Sequence, residues 1–301
     1  MMQAFGLTHP NGRFTANDIP APIPRPGQFT VAPVAIGLNN RDRAERFNAP
    51  EGRFTIPGHD VVGHVVDPGI TAFKKNQLVI AHTNQAYAEL VIATPDTAIA
   101  LPKHLSVAQA AALITPGITA WRIVHRFATI EPGQTVIVKG ANGGVGALVV
   151  QLATAMGADV IGIASARHQE AVIRDGALRA VPYDNTDLLT VLANAGDVVI
   201  NVAMDGIGFA EDVAMTRPGG QLITVAHIDH PVGDKQVQLV HVHPVATPSD
   251  ATALAALAPA VAEQQLHLQL AEPLPLTLAG LQAGHDLLGQ PHDGRIVLVK
   301  A

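Results

Sequence analysis

The chain has 301 residues, long for one domain and ample for two of about 150 each. Hydrophobic residues make up 48% and charged residues 15%, which excludes intrinsic disorder, because disorder needs low hydrophobicity with high net charge. The net charge is −6, from 19 basic and 25 acidic residues, and no basic cluster offers a face to nucleic acid; cysteine is absent, which removes disulfides, thiolate nucleophiles and sulfur-ligated zinc together.

The opening MMQAFGLTHPNGRF has no apolar core of the kind a secretory signal needs, so none is expected. No run approaches the roughly 18 uninterrupted apolar residues of a membrane helix. The expectation is a cytoplasmic protein with neither a membrane nor a nucleic-acid partner.

Through residue 100 the chain reads as short strands broken by proline and glycine. Pro20, Pro22, Pro24, Pro26, Pro33, Pro50 and Pro57 all precede residue 60. Proline removes a ladder donor, so these segments are turns, edges and loops around a compact β-rich unit. The β-branched runs Val61–Val66, Gln77–Ala81 and Tyr87–Ala93 are expected strands. Near Ser106 the texture changes. An alanine-rich helix is expected over Ser106–Leu113 with the serine as its cap, and a second over Thr119–Phe127.

Apolar strands then alternate with helical stretches: Thr135–Lys139, Gly144–Met156, Asp159–Ala164, Gln169–Asp175, Val198–Val202 and Gln221–Val225. Continuous apolar strands separated by helices imply a parallel sheet covered on both faces. After about residue 242 the pattern shifts again, to helices over Ala251–Gln265 and Thr277–Leu288 and a closing strand over Arg295–Val299.

The most informative stretch is Thr135-Val-Ile-Val-Lys-Gly140-Ala-Asn142-Gly143-Gly144-Val145-Gly146. A strand runs straight into a glycine-rich turn and then a helix, the setting in which such a motif binds a dinucleotide. Glycines let the backbone approach a pyrophosphate, whose charge then meets the positive end of the helix. The spacing departs from G-x-G-x-x-G, because Ala141 takes the first glycine's place while Gly143 and Gly146 keep the other two.

The second strand bears on the cofactor. Sites that prefer NADH usually carry an acidic residue about 20 positions on, where it binds the ribose hydroxyl. Here the segment is Ala164-Ser165-Ala166-Arg167-His168. With no carboxylate at the strand end and a guanidinium able to grip a 2′-phosphate, the expected cofactor is NADPH, held by Gly140, Asn142, Gly143, Gly144, Val145, Gly146, Ser165 and Arg167.

At this point the sequence resembles the medium-chain dehydrogenase/reductase superfamily, in its zinc-free, quinone oxidoreductase-like branch. The matching pieces occur in order. Gly37-Leu-Asn39-Asn-Arg-Asp42 resembles G-V-N-x-x-D, and Pro57-Gly58-His59-Asp60 through Val65 resembles P-G-x-[DE]-x-x-G-x-V. Ala86–Glu89 resembles the Y-A-E strand, and Ala110–Leu113 through Thr119-Ala120-Trp121 the A-A-A-L…T-A-W segment. Gly140–Gly146 is close to G-A-x-G-G-V-G, while Arg217–Gly220 and Asp293–Leu298 resemble the late R-P-G-G and G-K-x-V-L elements. The resemblance implies a GroES-like catalytic domain, residues 1–113 and 242–301, and a Rossmann NADP(H) domain, residues 114–241. It further implies an active site in the cleft separating them and a homodimer joined through cofactor-domain sheet edges.

Zinc enzymes of the superfamily use a cysteine, the histidine of a G-H-E segment and a further cysteine or carboxylate. His59 stands at that histidine's place, but Asn39 occupies the cysteine's. An amide is a poor zinc ligand beside thiolate or imidazole, so no metal is expected. The pairs His241 with His243, on one strand face, and His227 with His230, about a turn, have no carboxylate cluster at suitable spacing and are assigned none. Resemblance makes Asn39 the substrate-orienting donor and His59 a second polar group toward substrate, both as catalytic candidates. Asp42 is read as fixing the Asn39 loop through backbone hydrogen bonds. Tyr183 matches a tyrosine near the adenosine phosphate, and Asn201 stands where the branch often has aspartate.

Without a metal to polarise a carbonyl, the expected reaction is hydride transfer from NADPH to a small electrophile that accepts it readily, a quinone or an α,β-unsaturated carbonyl. Two other readings stand beside it: a zinc-independent carbonyl or alcohol dehydrogenase, and an NADPH-binding sensory protein without turnover. The short segment from Ile80 to Ala86 and the scarcity of aromatic residues (11 in the chain) loosen the link to quinones in particular.

Overall fold

The computed structural model describes residues 1–301 except 204, 205, 227–232 and 234. Its chain forms two units, residues 1–118 with 246–301 and residues 119–245. The expected boundaries at 113 and 242 lie a few residues short of both crossings. The first crossing falls inside a helix rather than between two.

The first unit is built as the prolines suggest, from short strands: β1 (Met2–Gly6), β2 (Thr15–Ile19), β3 (Phe29–Gly37), then after helix α1 (Asn40–Phe47) come β4 (Asp60–Asp67), β5 (Leu78–His82), β6 (Val91–Ala93) and β7 (Ala98–Ala100). Tyr87 lies outside the strand expected for it. Its ring is buried and its backbone joins Phe5 and Pro57 instead, so the regular ladder starts only at Val91.

Helix α2 (Val107–Arg122) and a π-turn over Ile123–Phe127 replace the two expected helices. Ser106 caps α2 as expected, its Oγ accepting from Gln109 N–H at 3.2 Å. Pro116 lies inside α2 without ending it. A proline costs a helix one ladder bond and crowds the preceding turn, but Ala110–Ile114, Ile118 and Ala120 are all buried, and that packing holds the helix through. The run Val107–Phe127 has a membrane span's length, but polar and charged residues interrupt it; its most apolar 18-residue stretch has a mean hydropathy of 1.2 and is 61% buried inside the fold.

In the second unit the strand–helix alternation is regular: β8 (Thr135–Lys139), α3 (Gly144–Ala155), β9 (Asp159–Ala164), α4 (Gln169–Arg174), β10 (Arg179–Pro182), α5 (Leu188–Leu192), β11 (Gly196–Asn201), α6 (Phe209–Met215), β12 (Thr216–Thr224) and β13 (Gln238–His241). The strands form one parallel sheet in the order β10-β9-β8-β11-β12-β13. The order reverses between β8 and β11, the switch point at which doubly wound sheets bind ligands beyond their strands' carboxyl ends. Ile137, Ile163, Val181, Val199 and Leu222 form its core with Leu188, Leu192 and Met215 from the helices.

The chain then returns to the first unit through α7 (Asp250–Ala262), β14 (Leu274–Pro275), α8 (Leu278–Leu288) and β15 (Val297–Val299). β15 pairs antiparallel with β3, giving a sheet ordered β14-β15-β3-β4-β5-β7, with β6 also on β3. Leu281, Leu288, Ile296 and Leu298 of the return are buried among Leu38, Val61, Val79 and Tyr87. The fold is therefore a β-rich GroES-like unit made from both ends of the chain plus a Rossmann unit from its middle.

Candidate active site

In the first unit, α1 starts where β3 ends. Asn39 is its N-cap, and Asp42 three residues on returns an oxygen to the Asn39 N–H at 2.8 Å, so Asp42 fixes this loop as its position suggests. The Asn39 side chain is held at both ends: Nδ2 donates to Asp60 at 2.9 Å and Oδ1 accepts from Arg295 Nη2 at 2.5 Å. Asp60 also accepts from Thr115, from N–H at 3.0 Å and Oγ1 at 2.5 Å. Asn39 is 4% exposed. Its amide thus joins β3, β4, α2 and the β15 approach.

His59, just before β4, is also buried. Its Nδ1 meets Thr83 O at 2.8 Å, which sets that nitrogen as the donor and turns Nε2 toward Glu45 Oε1 at 2.6 Å and Asp42 Oδ1 at 4.0 Å. Two acceptors facing each other at 2.6 Å need a proton between them. Burial opposes a charge on His59, but the Glu45 hydrogen bond and the Asp42 charge outweigh it and raise its pKa. Burial pushes Glu45 up, yet His59 and Arg41 outweigh that and lower it. These opposed shifts favour the imidazolium–carboxylate form of the pair. For Asp42 the balance goes the other way: burial, then the charge of Asp60, outweighs His59 and the Asn39 N–H and lifts its pKa to about 7, and Oδ1 has no hydrogen-bond partner.

Sequence spacing did not bring Asp42 and Glu45 to His59. The usable signal was their i, i+3 placement on one face of α1. Together the three offer one nitrogen and two oxygens within 4.8 Å. They do not fit zinc as placed. Ligands at 2.0–2.1 Å around a tetrahedral ion stand about 3.3 Å apart, whereas His59 and Glu45 are already in hydrogen-bond contact at 2.6 Å. Nearby, His82 donates or accepts at Asp250 (2.7 Å), its ring 5.9 Å from that of His59, and lines a cavity of about 280 Å³ with Thr83, Asn84, Gln85, Leu90 and Ile92.

In the second unit, the glycine turn links β8 to α3 as expected. Gly140 has φ +83°. A Cβ at Gly146 would collide with the Gly140 carbonyl oxygen, and one at Gly143 would crowd the same atom at 3.3 Å. Gly143 caps α3 in extended geometry, and Gly144 and Val145 are the first helical residues. Asn142 is half-buried between them and β8. This is a backbone cradle at a helix N-terminus that side chains would fill, and it fits a pyrophosphate.

Ser165 follows β9 and its Oγ bonds His168 Nδ1 at 2.9 Å; Arg167 is exposed on the short turn Ala166–His168. Tyr183 is exposed at the end of β10, with its N–H on Ala164 O at 3.1 Å. The absence of a carboxylate holds for the strand end itself but not for its surroundings. Asp184, from the next strand's end, accepts the Ala166 N–H at 3.0 and 3.2 Å. Asn201, fully buried, donates to Asp212 at 2.5 Å, and Lys139 closes the group at 3.2 Å, so these residues brace the β8 and β11 ends.

Among the described residues, the other histidines do not assemble into a cluster of metal-ligating groups. β13 ends at His241, so His243 leaves the strand face; each makes a backbone contact, and His243 stacks against Phe127. His227 and His230 lie outside the described residues.

Comparison with known proteins agrees with this construction. Residues 144–247 match the zinc-binding dehydrogenase family model. Human quinone oxidoreductase is 30% identical over 222 residues, covering 69% of this chain and 67% of the relative. The solved quinone oxidoreductase of Coxiella burnetii superposes with a TM-score of 0.87 at 25% identity, covering 100% of this chain and 99% of that one. A mycobacterial protein solved in complex with NADPH shares the fold, with a TM-score of 0.84 at 23% identity over 99% of this chain and 100% of that one. The chain belongs to the quinone oxidoreductase-like branch of the medium-chain dehydrogenase/reductase superfamily, and is an oxidoreductase.

Proposed function

We propose that the protein is an NADPH-dependent reductase that delivers hydride to a quinone or an α,β-unsaturated carbonyl without a metal. The observation that carries this reading is the cradle at Gly140–Gly146, closed to side chains and open to a pyrophosphate. The Gly143 N–H closes the turn on the Gly140 carbonyl at 3.0 Å, and the N–H groups of Gly144 and Val145 would face that anion, with the α3 dipole behind them. Arg167 would hold the 2′-phosphate, while Ser165 and Tyr183 border the adenosine ribose. NADPH, when bound, supplies the hydride, and the overall change is acceptor plus NADPH plus a proton giving reduced acceptor and NADP⁺.

The first unit's residues would then serve the acceptor. Asn39, fixed at both ends, offers its remaining amide hydrogen to a developing oxyanion. His59, held protonated by Glu45, adds positive charge, and Glu45 at one-third exposure links it to solvent protons. The cavity beside His82 matches a small acceptor in size. The edge position of β13 in its sheet supports a homodimer joined through that strand.

One observation favours a second reading. The His59–Glu45 pair is a proton path of the kind an alcohol dehydrogenase needs, so reversible alcohol oxidation by NADP⁺ is the alternative. The test is loss of NADPH absorbance with 1,4-benzoquinone after exhaustive chelation, NADH alongside. Consumption that chelation leaves unchanged is expected. NADPH binding without turnover on quinones, enals or alcohols would overturn the reading in favour of a sensory role.

A further inference from the structure

In a doubly wound sheet the adenosine ribose lies beyond the carboxyl end of the second strand. A carboxylate there accepts from the 2′-hydroxyl of NADH and opposes the 2′-phosphate of NADPH. Here the segment after β9 reads Ser165-Ala166-Arg167-His168, with no acid in it. β10, however, runs parallel to β9 with Pro182 opposite Ala164, and Tyr183 N–H continues that pairing onto Ala164 O. This register carries the next residue, Asp184, over the turn. Both its carboxylate oxygens accept the Ala166 N–H, at 3.0 and 3.2 Å. A negative charge is therefore fixed one residue from Arg167, at the strand end where a ribose 2′ substituent would arrive.

We infer that Asp184 is a specificity-determining residue that limits the preference for NADPH over NADH; the inference rests on the nucleotide reading proposed above. Arg167 and Asp184 act on a 2′-phosphate with opposite sign, and Asp184 also offers NADH an acceptor for its 2′-hydroxyl. The two cofactors are thereby brought closer in affinity than Arg167 alone would leave them. Asp184 is exposed, so its repulsion is screened by water and salt. A doubly charged phosphate beside it in near-aqueous surroundings corresponds to an effect of about tenfold in affinity.

Asp184→Asn tests this, because an amide oxygen can still accept the Ala166 N–H while the charge is gone. Calorimetric titration with 2′,5′-ADP, 5′-AMP, NADPH and NADH is expected to show 2′,5′-ADP and NADPH tightening about tenfold at low ionic strength, a gain that shrinks in high salt. 5′-AMP and NADH should stay level or weaken. Asp184→Ser, which shortens the side chain as well, should shift the ratio in the same direction. An unchanged ratio of 2′,5′-ADP to 5′-AMP affinity in both variants would overturn the inference while leaving the nucleotide reading intact. Failure of the folded parent protein to bind any of the four would overturn both.

Discussion

Asp42 is the group whose environment makes the sharpest demand. It is fully buried, one oxygen holds the Asn39 N–H, the other has no partner, and its pKa rises from 3.8 to about 7. Because the folded value lies above the unfolded one, the folded chain holds the extra proton. Stability therefore falls as pH rises from about 4 to about 7, and stays reduced above that. At about 1.4 kcal/mol per unit, the full penalty is about 4 kcal/mol. Asp42→Asn keeps an oxygen for the Asn39 N–H and removes the charge. The variant is expected to melt higher than the parent at pH 8, by on the order of 10 °C for a unit of this size, and to lose that advantage near pH 4–5.

The comparison has to be made pH by pH. His285, buried with its Nε2 3.0 Å from Tyr87 Oη, has the opposite dependence. Burial, then the charge of Arg46, lowers its pKa to about 3, so stability is lost as pH falls from 6.5 toward 3. The two slopes offset one another in the parent, and only the difference between variant and parent isolates Asp42. Scanning calorimetry at pH 5, 6, 7 and 8 would measure it. A difference constant across that range, or a variant less stable at pH 8, would mean that Asp42 does not hold an extra proton in the folded chain.

Other outcomes follow from the same geometry. Gly146→Ala places a methyl group against the Gly140 carbonyl and is expected to abolish NADPH binding by calorimetry, with unit 1 melting unchanged; retained binding would show the turn is not the cradle. Arg167→Ala should weaken NADPH binding markedly and NADH binding little, whereas equal losses would remove Arg167 from the 2′-phosphate. Glu45→Gln removes the carboxylate that holds His59 protonated, so the His59 ring protons should titrate at lower pH by NMR; an unmoved midpoint would sink the ion pair. Tyr87→Phe leaves both His285 nitrogens without a partner, since Nδ1 has none already, at a cost of about 1–3 kcal/mol in denaturant unfolding.

How much of this was legible in sequence depended on the range of the forces involved. β8 and β9 are read to the residue, because their apolar runs are buried on both faces and no competing period exists. The glycine turn is legible because backbone sterics act locally. β10 and α5, of four and five residues, are too short to show a period, and with β10 went the register that delivers Asp184 to Ala166. The helical breaks around Pro116 were misplaced because burial of the flanking alanines outweighed the local preference. The Asp42–Glu45–His59 group was missed for a related reason. Each residue is ordinary alone, and only the pairing of β4 with β5, which brings the Thr83 carbonyl to His59 Nδ1, aims the imidazole at α1.

An enone acceptor can show hydride passing from the nicotinamide to the acceptor, since carbon keeps the label that a quinone oxygen would exchange away. The protein would be incubated with 2-cyclohexenone and NADPH deuterated at the transferable C4 position, after chelation, and the product analysed by mass spectrometry. Cyclohexanone carrying one deuterium at the β-carbon is the expected result. A reduced product free of deuterium, or none from folded, NADPH-loaded protein with quinones equally inert, would contradict it.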